Sequence, residues 1–282
     1  GGILRLTSGA DVDGLVIAAD GSLSTPTLGT SNFRAGVNAG NSIASGGNSN
    51  TMVGDEAGTA ITTGDNNTAL GHSALASENT GSNNTAIGFS ALANFDNDSS
   101  GYNTAVGSGA GIITTTGRFN TVLGGEAGRH INTADSNVFV GYQAGLGVTG
   151  SGNLLTGNEN TAVGRNAGVA LKAGATGNTF VGAYAGDAVT TSANNTCIGI
   201  AAGSVINTGN HNTSIGYNSL QHMTTGRFNT AIGPNACGNT NEAGEFNVYM
   251  GYLASASNSD IDATLIITSG NRNSVDKGAS SG

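Results

Sequence analysis

Along most of the chain one aliphatic residue recurs in a polar, glycine-rich background, within the phrase Asn-Thr-x-aliphatic-Gly-x-x-Ala. Clear copies start at Asn50, Asn67, Asn84, Asn103, Asn120, Asn137, Asn160, Asn178, Asn195, Asn212, Asn229 and Asn247, with a degenerate copy at Asn32. Successive clear starts differ by 17, 17, 19, 17, 17, 23, 18, 17, 17, 17 and 18 residues. Thr-x-aliphatic alternates as a strand does, and Gly, Asn and Ser turn chemistry fills the rest of each unit without a sustained helical period. A short repeat of this kind predicts stacked coils. The expected fold is all-β: a parallel β-solenoid of about 13 coils with a period of 17–18 residues. Identical positions would stack at about 4.8 Å, so the steps from Asn50 to Asn247 would give a rod of roughly 50 Å.

The aliphatic position is assigned to the core. Its column is Val53, Leu70, Ile87, Val106, Leu123, Val140, Val163, Val181, Ile198, Ile215, Ile232 and Met250. The residue before it is mostly small (Ala69, Ala86, Ala105, Ala162, Cys197, Ser214, Ala231) and is assigned to the opposite face, where a second chain could approach closely. One large aliphatic side chain per coil contributes about 1.5 to 3 kcal/mol. Ordering a residue costs about 1 to 2 kcal/mol, so a lone chain would be marginal and a homo-oligomer, most simply threefold, is inferred. The flanks differ: residues 1–30 read as a β cap or connector, 31–256 as the solenoid, and 257–282 as a strand followed by a flexible junction.

Composition narrows the classes further. Of 282 residues 48 are glycine, 2 are proline and none is tryptophan, while only 10% are charged. Collagen is excluded by the missing triplet and proline, and disorder by low charge beside 37% hydrophobic residues. A net charge of −9 with 9 scattered basic residues does not suit a phosphate backbone. No apolar run reaches the length of a membrane span. The start at Gly1-Gly2-Ile3-Leu4-Arg5 carries neither an initiator Met nor a signal-peptide pattern, and reads as a processed or excised end. Cys197 and Cys237 fall in different phases of the repeat and read as buried small residues, not a disulfide.

The strings Asn-Thr-Ala-Ile-Gly-Phe-Ser-Ala at 84–91 and Asn-Thr-Ala-Val-Gly-Arg-Asn-Ala at 160–167 resemble the head repeats of trimeric autotransporter adhesins (YadA-like). They also resemble the related repeats of bacteriophage tail fibres that end in a self-cleaving chaperone domain. The resemblance covers residues 50 to about 256. It implies a left-handed parallel β-roll, trimeric, in an extracellular fibre that touches cells. The period of 17–18 departs from that pattern in being longer than expected for adhesin heads, and neither a membrane anchor nor a recognisable chaperone domain is present.

Candidate chemistry is sparse. Gly145-Leu146-Gly147-Val148-Thr149-Gly150 matches dinucleotide-loop spacing but precedes no helical pattern, so no cofactor is expected. Asp96-Asn97-Asp98-Ser99-Ser100-Gly101 begins like a calcium loop, yet Gly107 stands where the closing glutamate belongs. It reads as a surface turn, with a weak calcium site at Asp96 and Asp98 as the minor alternative. His72, His130, His211 and His222 lack metal-ligand spacing and read as surface residues. Asp55, Glu56 and Glu126 read as solvated charges, and no carboxylate pair or nucleophile elbow can be singled out. Phe89, Tyr142, Tyr217 and Tyr252 follow the corner glycine, with Tyr184 one position further on, and are the candidate receptor-binding residues. Packing between subunits or coils is the other reading of them. Phe119 and Phe228 are assigned to structure. The insertion at 146–159 is expected to be an exposed loop.

The expectation is thus a nonenzymatic extracellular segment of a phage tail fibre or surface adhesin, on a virion tail or cell surface. It would be a homotrimer attaching to a cell-surface glycan or receptor through many weak contacts, with no nucleic acid and no membrane insertion. The alternative is a purely structural self-assembling extracellular filament. An ice-binding solenoid or a polysaccharide-degrading enzyme ranks below both.

Overall fold

The computed structural model describes residues 4–7, 13–17, 23–24, 28–148, 154–237, 243–255 and 262–268. Near the N-terminus β1 (Leu4–Thr7), β2 (Asp13–Ile17) and β3 (Leu23–Ser24) form an antiparallel sheet. From there, fourteen three-residue strands, beginning with β4 (Phe33–Ala35) and ending with β17 (Leu265–Ile267), follow one another in a parallel sheet ordered as in the chain. The expected parallel β-solenoid is the fold. Registers are coil on coil, Thr68 beside Thr85 and Leu70 beside Ile87. Two compact units divide the chain, 1–120 and 121–282. Each of them repeats the same coil.

We number the coil from its asparagine as position 1. The strand takes positions 2–4 and the corner glycine position 5, while position 0 is the residue before the asparagine. Each asparagine is buried and its amide is fully used. In the first unit Asn67 Oδ1 accepts the Asn84 backbone N–H at 3.0 Å, and Asn67 Nδ2 donates to the Gly81 carbonyl at 2.9 Å. In the second, Asn195 Oδ1 accepts the Asn212 N–H at 3.0 Å and its Nδ2 donates to the Gly209 carbonyl at 2.9 Å. A stacked amide thereby satisfies backbone groups that the coil-to-coil bonds of the turn, such as the Thr62 N–H to the Asn79 carbonyl, leave over.

That ladder sets which strand residues point inward. Side chains alternate along a strand, so with the asparagine inside, position 3 points inward while positions 2 and 4 point out. The structure accordingly reverses the assignment of the aliphatic column. Met52, Ala69, Ala86, Ala105, Val122, Phe139, Ala162, Phe180, Cys197, Ser214, Ala231 and Tyr249 are the buried strand residues. Val53, Ile87, Val106, Leu123, Val140, Val163 and Ile215 are half-buried, and Leu70, Val181, Ile198, Ile232 and Met250 are exposed. The small-residue column is therefore core and cannot meet a second chain.

The other half of the core comes from residues eleven after each asparagine: Ile61, Phe95, Ile131, Leu171, Val189, Ile206 and Met223 are buried there. The alanine at position 8 packs between these two walls. Position 9 adjusts the volume. From the coil of Asn32 to that of Asn229 it is left-handed, and it is glycine beside Met52, Val122, Phe139 and Phe180, whereas Ser255 follows the buried Tyr249. A Cβ on Gly186 would lie 2.5 Å from the Phe180 ring, and one on Gly58 would overlap the Met52 sulfur. Where position 3 is alanine or serine, position 9 can be leucine, as at Leu75, Leu92 and Leu220, with φ of 53°, 49° and 50°. Such a φ strains a side-chain-bearing residue. Filling the space left by a small strand residue offsets that strain.

The insertion does not lie wholly outside the coil. Leu155 is fully buried and bridges to Ile131 in parallel fashion, so it supplies the inward wall of its coil. Residues 149–153, the middle of the expected loop, lie outside the described residues, as do the polar end from 269 and most of the expected N-terminal connector.

Candidate functional site

In each unit apolar exposure is concentrated at the same few positions of the coil. Among the described residues 19 large hydrophobic side chains are exposed, and all but Leu28 stand at positions 0, 2, 4 or 6 of a coil. Positions 2 and 4 share the outward side of the parallel sheet, and positions 0 and 6 flank it, the one in a left-handed turn and the other just past the corner glycine. In each unit the face therefore has two inner columns, threonine at position 2 and aliphatic at position 4, and two bordering columns at positions 0 and 6. The corner glycine between positions 4 and 6 allows each coil to turn closely beneath the next. A Cβ on Gly71 would sit 2.5 Å from the Gly88 carbonyl oxygen, at a φ of 133°.

The column at position 6 carries four of the candidate receptor residues. Phe89 is exposed in the first unit and stacks on His72 with ring centroids 5.5 Å apart. Tyr142, Tyr217 and Tyr252 are exposed in the second. They do not form one patch. Four coil steps separate Tyr142 from Tyr217, about 19 Å at strand spacing. Tyr184 stands one position on and is half-buried, with the Arg165 guanidinium 5.5 Å from its ring centroid.

A second aromatic column at position 0 was not expected. Tyr102 stacks on Phe119 at 5.7 Å, and Phe228 stacks on both His211 and Phe246 at 4.9 Å. Phe119 and Phe228, assigned to structure from the sequence, are 50% and 43% exposed at this border. Their left-handed backbone, φ 60° and 58°, throws the side chain outward just before the buried asparagine. The signal was present in the matching strings at 115–121 and 224–230, which place a ring immediately before an asparagine whose side chain must point in.

Other candidates resolve individually. His72, His211 and His222 are exposed, but His130 is buried, with Nδ1 3.1 Å from the Leu146 carbonyl oxygen. Both cysteines are buried and neither is in a disulfide, and burial pushes the Cys197 thiol up to about 12. Glu126 is half-buried, pairing with Arg129 at 2.7 Å and accepting from Gln143 at 2.8 Å. In the calcium-like string Asn97 Oδ1 accepts from the Ser99 N–H and hydroxyl, which is turn geometry. Gly145 and Gly147 take left-handed turns within a coil and start no helix. Among the described residues no three His, Cys, Asp or Glu side chains gather as a metal site, and no helix is long and apolar enough to cross a membrane.

One charged group stands at a coil position that is apolar in most copies. Glu78 is fully buried in the column of Ile61 and Phe95. Its Oε1 accepts the Gly81 N–H at 2.6 Å and Oε2 the Asn97 N–H at 3.4 Å. Burial dominates over those bonds and, with Asp96 nearby, raises the carboxyl from 4.5 to about 7.

Coil and ladder together define a parallel β-solenoid repeat protein, with an apolar outward side in each unit. No family model, curated protein or solved structure matches the chain.

Proposed function

We propose that this chain is a nonenzymatic segment of an extracellular fibre, a phage tail fibre or surface adhesin, that assembles as a homotrimer and attaches to a cell-surface glycan or receptor. The observation that carries the reading is the outward sheet face, where exposed apolar side chains collect in each unit. In the second unit the strands from Thr121–Leu123 to Leu265–Ile267 are nine, which makes eight steps of the ladder. At about 4.8 Å between strands and 3.3 Å per residue the three-residue strands make a ladder roughly 38 Å by 10 Å. That is about 380 Å² for the strand columns alone, and the exposed bordering side chains such as Tyr142 and Tyr217 add to it. A patch larger than a few hundred Å² on a soluble chain points to a covered surface.

The resemblance to adhesin heads and tail-fibre repeats supports three chains and a role in attachment. Repetition of weak sites around a common axis would raise avidity without tight individual sites. Scattered rings such as Tyr142 and Tyr217 suit that arrangement better than a single deep pocket. A glycan array with a thermal-hysteresis control tests the reading. Retention of carbohydrate by the multimer without hysteresis is expected. Hysteresis instead would assign the outward Thr and aliphatic columns to ice, and neither signal would leave a purely structural filament.

A further inference from the structure

The exposed rings of the second unit stand in different surroundings. Phe228 is stacked between His211 and Phe246, and Tyr217 has Ile200 and Pro234 at position 6 of the coils on either side. Tyr142 has neither a stacked ring nor an apolar neighbour there. The coil before it carries Gly125 at position 6, where a Cβ would lie 3.6 Å from the Tyr142 ring. A side chain at that place would press on the ring, and glycine leaves it bare.

Polar groups fixed by one another flank this ring. Gln143 Nε2 donates to Glu126 Oε2 at 2.8 Å, and Arg129 donates to Glu126 Oε1 at 2.7 Å. The pairing neutralises Glu126 and orients the Gln143 amide, whose oxygen remains to accept. On the coil that follows, Arg165 is exposed and makes no ion pair among the described residues. Its guanidinium is held 5.5 Å from the Tyr184 ring centroid, an attractive geometry that limits its freedom. The Asn166 N–H donates to the Tyr142 carbonyl at 3.0 Å, so Tyr142 and Arg165 stand on directly bonded coils, about 4.8 Å apart along the stack. Since Arg129 cancels Glu126, Arg165 contributes an uncompensated positive charge on a chain whose net charge is −9.

An open ring face, an oriented amide and an unpaired guanidinium make three separate demands on a ligand. A neutral sugar meets the first two. A sugar that carries a carboxylate meets all three: its C–H face packs on the electron-rich ring, a hydroxyl donates to the Gln143 oxygen, and the carboxylate takes the forked N–H donors of Arg165. We propose that Tyr142, Gln143 and Arg165 form a binding site for an acidic sugar, a uronic or sialic acid, of the surface glycan. The inference rests on the attachment reading above and adds the sugar class and the residues that recognise it.

Surface plasmon resonance tests it. The intact chain is passed over immobilised glucuronides and sialosides, and over the same glycans with the carboxylate reduced to an alcohol. One acid series should be retained, which identifies the source, and its reduced form should bind about tenfold more weakly or worse. Arg165→Gln should abolish the preference for the acid, and Arg165→Lys should keep part of it. Tyr142→Ala should weaken both forms about tenfold, whereas Tyr217→Ala should leave the preference unchanged. Circular dichroism melts matching the unsubstituted protein are expected, because these side chains are exposed. Equal affinity for both forms, or a preference for the acid that survives Arg165→Gln, would overturn this site and leave glycan attachment standing. Retention of no glycan, or of an immobilised Asp/Glu-rich peptide in place of any glycan, would overturn the site and glycan attachment together.

Discussion

Replacing Glu78 by Gln should stabilise the protein at pH 8 and do little at pH 4. The carboxyl is buried in an apolar column, and the fold raises it from 4.5 to about 7. The folded state therefore holds the proton more tightly than the unfolded chain. Its contribution is complete below the unfolded value of 4.5 and is lost as pH rises through the folded value near 7. At about 1.36 kcal/mol per pH unit the full difference is about 3 kcal/mol, or about 2 kcal/mol after allowance for screening by water near the turn. Glutamine keeps an oxygen for the Gly81 N–H that Glu78 Oε1 binds at 2.6 Å and carries no charge. Urea denaturation of both proteins between pH 4 and pH 8 measures the effect. The wild type should lose stability over the window 4.5 to 7 while Glu78→Gln stays flatter, the curves separating by about 2 kcal/mol at pH 8. Parallel curves would show that Glu78 reaches water and that its burial does not cost the fold anything.

The volume balance between strand and turn predicts that Gly186→Leu alone costs at least about 3 kcal/mol by overpacking against Phe180. Phe180→Ala/Gly186→Leu should recover most of that loss in thermal melts, because Leu75 and Leu92 already occupy this backbone conformation beside alanine. Asn195→Leu should destabilise by about 2 to 5 kcal/mol, since it strands the Gly209 carbonyl and the Asn212 N–H in the interior; an unchanged melting temperature would refute the structural role of the ladder. Ile198→Asp should fold, because that side chain is 39% exposed, yet it should fail to assemble, as read by circular dichroism together with size-exclusion mass. Unfolding of Ile198→Asp would return the aliphatic column to the core.

The coil, its length and the three strand residues were legible because the repeat is written in residue types with fixed backbone roles. Asparagine before threonine and glycine at the corner place the strand wherever they recur. The direction of the side chains was not legible from size. Ranking Ile198 above Cys197 by hydrophobicity put the wrong one inside, and the alternation of the strand then carried the error to every coil. The asparagine was the better guide, because an amide that must bond buried backbone groups has to point inward, and position 3 shares its side. The second wall was in the text as well, an apolar residue eleven after nine of the thirteen asparagines. Glu78 and Thr114 interrupt that column, and the insertion before Leu155 shifts it. Its presence makes the core thicker than one aliphatic residue per coil. The case for association therefore rests on the exposed face and not on a deficient interior.

Absolute mass in solution tests that case most directly. One chain is 27.5 kDa. Multi-angle light scattering on the intact chain should give three copies, about 82 kDa for a closed threefold ring, with circular dichroism showing β structure. A folded species at the mass of one chain would contradict the trimer, the covered face and the fibre built on them.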